Sequence, residues 1–273
     1  MLLPTAPGTA RRESSAGWID YSNASEGYIT VAYTDDPEKR CKVRITKDDG
    51  YMNFDTPSDG TPAVLPLSQG SGGYNVYMSQ NIQGTAYKTV LQTSFKAELS
   101  SPAIPYLYPN TYCWYAQGSK CVELSYILCA KIENDRDKLA VIYGYIVKNI
   151  TYDFELAKHV QAENWWLPSP DEVLTNGKSI CWGYASLLAG LCRPQGIPCS
   201  IDVGHVRAPN GTEFLHAYNR VMLATSGIIT EHINIPAGKW FRLDTTFAAS
   251  GMSDKQVAEW TAGDGDYKTS YRG

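Results

Sequence analysis

Basic residues are too few in this chain to build a nucleic-acid surface: 24 Lys and Arg stand against 28 Asp and Glu in 273 residues, for a net charge of −4. A polyanion finds no positive field to bind here. No stretch approaches the roughly 18 consecutive apolar residues that read as a transmembrane helix. The opening Met1 to Gly8 is too short, and too broken by Pro4 and Pro7, for an intact signal peptide. The expectation is an exported or cell-surface protein whose signal segment has been removed, with a cytoplasmic protein as the alternative. Histidine is scarce, with 4 in all, and no Cys or His spacing resembles a zinc site. Asp48-Asp49-Gly50 and Asp264-Gly265-Asp266 lack the ligand alternation of a calcium loop and read as turns. Gly70 to Gly73 precedes neither a helix nor a Lys-Ser/Thr pair, so it reads as a hairpin turn and not a phosphate loop. No cofactor, metal or membrane span is expected, and no internal repeat is visible.

What is present suffices for two ordinary domains: 43% of the residues are hydrophobic and 12% aromatic. Residues 1–17 read as a flexible tail. From 18 to 100, short alternating segments such as Tyr28 to Tyr33, Lys42 to Ile45, Tyr74 to Met78 and Ala86 to Leu99 are separated by Asp-Gly and Gly-Gly turns. They predict a small antiparallel β-sandwich of immunoglobulin-like type. Residues 101–133 carry Pro102, Pro105 and Pro109 and read as a connector. Over 134–273 the pattern turns mixed. Leu139, Ile142, Tyr143, Ile146, Val147 and Ile150 recur at helical spacing behind Asp135 and Asp137, a helix expected to pack on the one described next. Asp153 to Asn176 reads as loop-rich, and the polar tail after Ser250 as liable to fray.

The chemistry concentrates in three short motifs. In Gly177-Lys178-Ser179-Ile180-Cys181-Trp182-Gly183-Tyr184-Ala185, apolar residues at helical spacing follow Cys181, and Ser179 reads as the helix cap, so the thiol falls at a helix N-terminus. Unpaired amides and the positive end of the macrodipole there favour a thiolate and can hold an oxyanion. Leu215-His216-Ala217-Tyr218-Asn219 lies in a strand-like run, with Phe214, His216 and Tyr218 on one face. An imidazole there can take and return the thiol proton. Phe241-Arg242-Leu243-Asp244 supplies, from a neighbouring strand, a carboxylate to orient that imidazole.

At these residues the chain resembles the transglutaminase-like superfamily, a papain-like cysteine-nucleophile fold, in a bacterial-type arrangement with an N-terminal β domain. The resemblance rests on a GxCxGYA helix start, a later HAY and a D-x-T, and runs from about Asn134 to Ala249. Ile150-Thr151-Tyr152-Asp153 and Leu191-Cys192-Arg193-Pro194-Gln195-Gly196-Ile197-Pro198-Cys199 match its outlying parts. It implies an α+β catalytic core with Cys181 as nucleophile, His216 as general base and acid, and Asp244 as orienting carboxylate. The implied reaction is amide acyl transfer or hydrolysis on protein or peptide substrates through a thioester. Tyr218 stands where the family often has Trp. Tyr152, Trp165 and Trp166 are the candidates for a side-chain oxyanion donor, and Trp182, Tyr152, Trp165, Trp166 and Tyr218 for substrate contacts.

Competing readings attach to the same residues. Cys192 and Cys199 read as buried core, and Cys113 and Cys121 as a pair able to clip a turn. His205, on the strand Ser200 to Arg207, reads as a packed structural histidine, while His159 and His232 read as exposed. Asp202 is the next candidate for the third catalytic member. A non-catalytic scaffold with an idle core and an arylamine-type acetyltransferase are the alternatives from other functional classes. Oligomeric state is left open.

Overall fold

In the computed structural model, residues 1–163, 166–207, 211–263 and 267–273 are described. The fold is mixed α+β with antiparallel sheets. It divides into two compact units, Leu3–Thr111 and Tyr112–Arg272. The stretch read as a connector therefore splits between them.

The first unit contains two four-stranded antiparallel sheets. One orders β1 (Arg11–Ser14), β2 (Gly17–Asp20), β3 (Tyr28–Tyr33) and β6 (Ala63–Pro66); the other orders β5 (Gly50–Thr56), β4 (Cys41–Lys47), β7 (Gly72–Gln83) and β8 (Ala86–Ala97). The chain changes sheet between β3 and β4, between β5 and β6, and again between β6 and β7. Alternation places Val43, Ile45, Phe54 and Val76 of one sheet in the core, and Ile19 and Val31 of the other are buried as well. Tyr21 stacks on Phe95 of β8 with ring centroids 4.9 Å apart. The expectation of a flexible tail over 1–17 is corrected. Arg11–Ser14 pairs with Gly17–Asp20, and the Gly8 amide donates to Asp20 Oδ2 at 2.7 Å. These ladder bonds order a segment too polar to show any hydrophobic period.

The second unit starts with α1 (Lys120–Leu128), α2 (Asp135–Asn149) and β9 (Thr151–Tyr152). Next come α3 (Phe154–Glu163), α4 (Pro170–Asn176), β10 (Lys178–Ser179) and α5 (Cys181–Cys192). Strands β11 (Cys199–Arg207) and β12 (Glu213–Met222) follow, then a small hairpin of β13 (Gly227–Ile228) and β14 (Asn234–Ile235). The unit ends with β15 (Trp240–Leu243), α6 (Thr245–Ala249), α7 (Asp254–Ala262) and β16 (Tyr267–Arg272). Its main sheet is antiparallel in the order β15-β12-β11-β16.

Helix α5 is the axis of this unit. Its residues from Gly183 to Cys192 are all buried, as a helix that is apolar all round must be. Helices α1, α2 and α4 pack against it, as do β11 and β12. Asn134 caps α2 by accepting from the Asp137 amide, and the buried face Leu139, Ile142, Tyr143, Ile146 matches the predicted stripe. Buried Asn219 staples α5 to the sheet by donating from Nδ2 to the carbonyls of Ala185 (2.9 Å) and Ser200 (2.8 Å). Asn219→Leu removes both bonds and leaves buried acceptors short of donors, so it is expected to cost about 1–3 kcal/mol. Thermal denaturation checks this: an unchanged Tm would mean the staple contributes nothing.

Three further expectations are corrected. The segment Asp153 to Asn176, read as loop-rich, carries α3 and α4, with Ser169 capping α4 through the Glu172 amide. The tail after Ser250 forms α7, closed by a Ser253–Gln256 capping box, and the edge strand β16, paired to β11. All seven cysteines are free thiols, Cys113 and Cys121 included.

Candidate active site

Cys181 is the first residue of α5, and its cap is Ile180, not the expected Ser179. Ser179 is instead in β10 and buried. An aliphatic cap makes no side-chain bond to the first turn, so the opening amides of α5, which have no intrahelical acceptor, stay available at the thiol. Gly183 is required by packing: a Cβ there would run into the Ser179 side chain and touch Val173. Close approach of β10 and α4 sets where the helix begins.

The imidazole comes from the middle of β12, where His216 is 4% exposed. Its Nε2 lies 2.6 Å from Asp244 Oδ2, and Cys181 is near enough to add to the electrostatics of the ring. With Nε2 taken by the carboxylate, Nδ1 is the nitrogen left for sulfur. Asp244 follows directly on β15, which pairs with β12 at Asn219 and Leu243. It does not continue the strand as the alternating pattern suggested. It caps α6, its Oδ1 accepting from the amides of Thr246 and Phe247, both at 3.1 Å. Each carboxylate oxygen thus has a separate task, which holds the side chain in one rotamer.

Phe247, one turn into that helix, stacks on the His216 ring at 4.6 Å and 10°. Phe214 meets the same ring edge-on at 5.7 Å. Phe247 was missed from sequence, and the available signal was its place three residues beyond Asp244. Burial alone would lower the imidazole pKa, but the Asp244 charge and hydrogen bond, with Cys181 adding to them, push it up to about 10. The buried carboxylate thereby favours the protonated form of the ring.

Of the seven cysteines Cys181 alone is not buried. Burial pushes the Cys41 thiol up to about 11 and that of Cys113 up to about 12. Cys181 opens on a cleft of about 500 Å³ that Tyr152, Trp166, Trp182 and His216 also line. Trp182 stacks on Tyr112 at 5.2 Å, and its buried Nε1 has no hydrogen-bond partner among the described residues. Trp165 lies outside the described residues, as does the Asp264-Gly265-Asp266 turn.

Tyr152 is placed by backbone pairing. β9 runs parallel to β10, the Asp153 amide donates to the Ser179 carbonyl at 2.9 Å, and the Tyr184 hydroxyl donates to the Ile150 carbonyl at 2.8 Å. The Tyr184 of the helix motif thereby ties α5 to the strand carrying Tyr152. Burial raises the Tyr152 pKa, and the charge of Cys181 raises it further, so its hydroxyl keeps its proton.

The other candidates lie elsewhere. Tyr218 is corrected as a substrate contact: it is buried against Tyr267, and its hydroxyl meets Thr269 Oγ1 at 2.7 Å. It shares a strand face with His216 but sits deeper in the sheet, under β16. His205 is exposed, not packed, opposite the exposed Leu215 at the open end of the sheet. Asp202 is buried between Arg220 (2.6 Å) and Arg272 (3.1 Å), so its charge is already matched. His232 pairs with Asp254 at 3.2 Å, and His159 is exposed on α3. No group of three or more His, Cys, Asp or Glu able to hold a metal occurs among the described residues, and no helix among them is long and apolar enough to cross a membrane.

Residues 123–245 match the transglutaminase-like superfamily, a span that contains Cys181, His216 and Asp244. The kyphoscoliosis peptidase of Mus musculus is 27% identical over 146 residues, and that of Homo sapiens 26% over 146. Each match covers 51% of this chain and 20% of the relative, so the chain spans about a fifth of the length of these curated relatives. Among solved structures, a candidate cysteine protease from Cytophaga hutchinsonii is 16% identical with a TM-score of 0.44, covering 90% of this chain and 83% of that one. The red sea bream transglutaminase is 11% identical with a TM-score of 0.33, covering 82% and 48%.

Proposed function

We propose that this chain, which carries a transglutaminase-like core, cleaves amide bonds in proteins or peptides by cysteine-dependent acyl transfer to water. The observation that carries this reading is the Cys181–His216–Asp244 set: a partly exposed thiol at a helix start, sharing a cleft with an imidazole whose Nε2 is 2.6 Å from a buried carboxylate. That such relatives as the kyphoscoliosis peptidases are named peptidases supports water as the acceptor.

The thiol proton passes to His216 Nδ1, and Asp244 stabilises the imidazolium. The thiolate forms a bond to the carbonyl carbon, and the oxyanion takes hydrogen bonds from the opening amides of α5 and the Tyr152 hydroxyl. Collapse breaks the C–N bond, and Nδ1–H protonates the departing amine to leave a thioester. Water gives a proton to Nδ1 as its oxygen attacks the thioester carbon. The C–S bond then breaks, releasing the carboxylic acid and restoring the thiolate and imidazolium pair.

Iodoacetamide labelling at a pH well below that of an ordinary thiol tests the first step, since the buried cysteines stay protonated. Peptide hydrolysis followed in the presence of a biotinylated amine tests the acceptor. Stoichiometric modification of Cys181 with release of free amine is expected; an unreactive Cys181 would favour the scaffold reading, and biotin incorporation would make the enzyme a transamidase. Tyr152→Phe, which keeps the ring and removes the donor, is expected to lower kcat by about 10²-fold with KM nearly unchanged. Unchanged kcat would leave the oxyanion to the backbone amides alone.

A further inference from the structure

Helix α3 presents a short stripe, apolar at Ala157 and Val160 and polar at Gln161, to open space. Ala157, Val160 and Gln161, one turn apart, line the cleft at Cys181, while Glu155, Lys158 and His159 on its other side are exposed. A surface helix ordinarily buries such a stripe against a core. Across the cleft, Phe214 and Leu215 of β12 and Val203 of β11 face the same volume, and Leu215 is 63% exposed. Among the described residues no Asp, Glu, Lys or Arg lines the cleft. Apart from the Cys181–His216 pair, a charged side chain entering it would find no opposite charge to replace the water it loses. An aromatic or long aliphatic side chain would displace that water against Trp166, Trp182 and Phe214, whose ring faces and edges suit another ring.

Resting on the hydrolytic reading above, we infer that the enzyme selects amides flanked by a large apolar residue such as Phe, Tyr, Leu or Met. The α3 stripe, Trp166 and Leu215 receive that side chain beside the attacked carbonyl. The cleft volume of about 500 Å³ falls in the range of small-ligand pockets and accommodates one such residue with its neighbouring backbone. Val160 and Leu215 act here through contact with substrate and take no part in proton transfer.

A peptide series varied only at the residues flanking one amide, with cleavage read by mass spectrometry, tests this. Phe or Leu is expected to exceed Ala by at least about tenfold in kcat/KM, with Glu and Lys lower still. Equal cleavage of all, or a charged preference, would overturn the inference. Val160→Lys is expected to lower kcat/KM for the Phe peptide by about tenfold or more and to raise that for Glu relative to it. Its rate of Cys181 labelling should match wild type, which shows the thiol site intact; an unaltered Phe-to-Glu ratio with normal labelling would overturn the role of α3. Binding of the Phe peptide to Cys181→Ala, followed by tryptophan fluorescence, separates the pocket from the chemistry. Binding without any wild-type cleavage would retain the pocket and overturn the hydrolytic reading, whereas no preference for Phe over Ala and Glu in binding would overturn the pocket.

Discussion

Cys181→Ala is expected to reduce peptide-amide turnover by roughly a million-fold, the scale seen when a covalent nucleophile is removed, while the protein stays folded. The reason lies in the division of labour at the helix start. The thiolate is the only group in the proposed sequence that bonds to the acyl carbon, so no neighbour can substitute for it. Its structural contribution is small, because Cys181 sits at the cleft surface and not in the packed interior that holds Cys113, Cys192 and Cys199. A change in stability within about 0.5 kcal/mol is expected, as for other partly exposed positions. Initial rates on a fluorogenic peptide and thermal denaturation, measured on the same preparation, provide the check. Residual turnover near wild type would remove Cys181 from the chemistry, and a large drop in Tm would mark it as a structural thiol.

Asp244→Asn is expected to cost about 10⁴-fold in kcat. The substitution keeps the helix cap, because an Asn oxygen can still accept from the Thr246 and Phe247 amides that now bond to Oδ1. What changes is the other position, 2.6 Å from His216 Nε2, where an acceptor becomes an NH₂ donor. Nε2 must then be the acceptor, and the ring proton moves to Nδ1, the nitrogen that should receive the thiol proton. The charge argument runs in the same direction. With the carboxylate gone, burial dominates, and the imidazole pKa falls from about 10 toward or below its ordinary 6.5.

The active pair needs a protonated ring, so wild-type kcat/KM should lose activity on the basic side near pH 10, and the variant at distinctly lower pH. Stability follows the same sign. A folded-state pKa raised above 6.5 contributes stability that is fully present below pH 6.5 and is lost as pH rises toward 10. The variant should lack this slope. Rate profiles and denaturation midpoints across pH 6 to 10.5 test both, and a basic limb that does not move would mean Asp244 is not what holds the proton on the ring. In that event Asp202 is a poor replacement, since Arg220 and Arg272 already enclose its carboxylate.

The three site positions were legible because each sits in a short motif whose local structure follows from its neighbours: apolar helical spacing after Cys181, strand alternation around His216, and a carboxylate at the end of a second strand. The face shared by Phe214 and His216 follows from the same alternation. Less legible was α3, ten residues of low overall apolarity whose stripe is addressed to a cleft, so the usual sign of a core-facing helix is weak. The Ser179 cap failed because Ser179 is drawn into β10 by pairing with the strand that carries Tyr152, a contact between residues about 27 apart that local propensity cannot sense. His205 was misread because alternation reports which face a residue takes, but not how far along the strand the covering helix extends.

By itself the amino-acid sequence determined the elements that bear the thiol, the imidazole and the carboxylate, and the β-rich character of the first hundred residues, since these depend on periods of two and 3.6 along the chain. Tertiary structure alone decided that the imidazole cation is stabilised inside a buried pocket and that Phe247 supports its ring. It also decided that Tyr152 lines the same cleft as the sulfur and that aromatic side chains wall that cleft. Those features depend on burial and on distances between segments far apart in the chain, and such distances are set when α5 packs into its sheet.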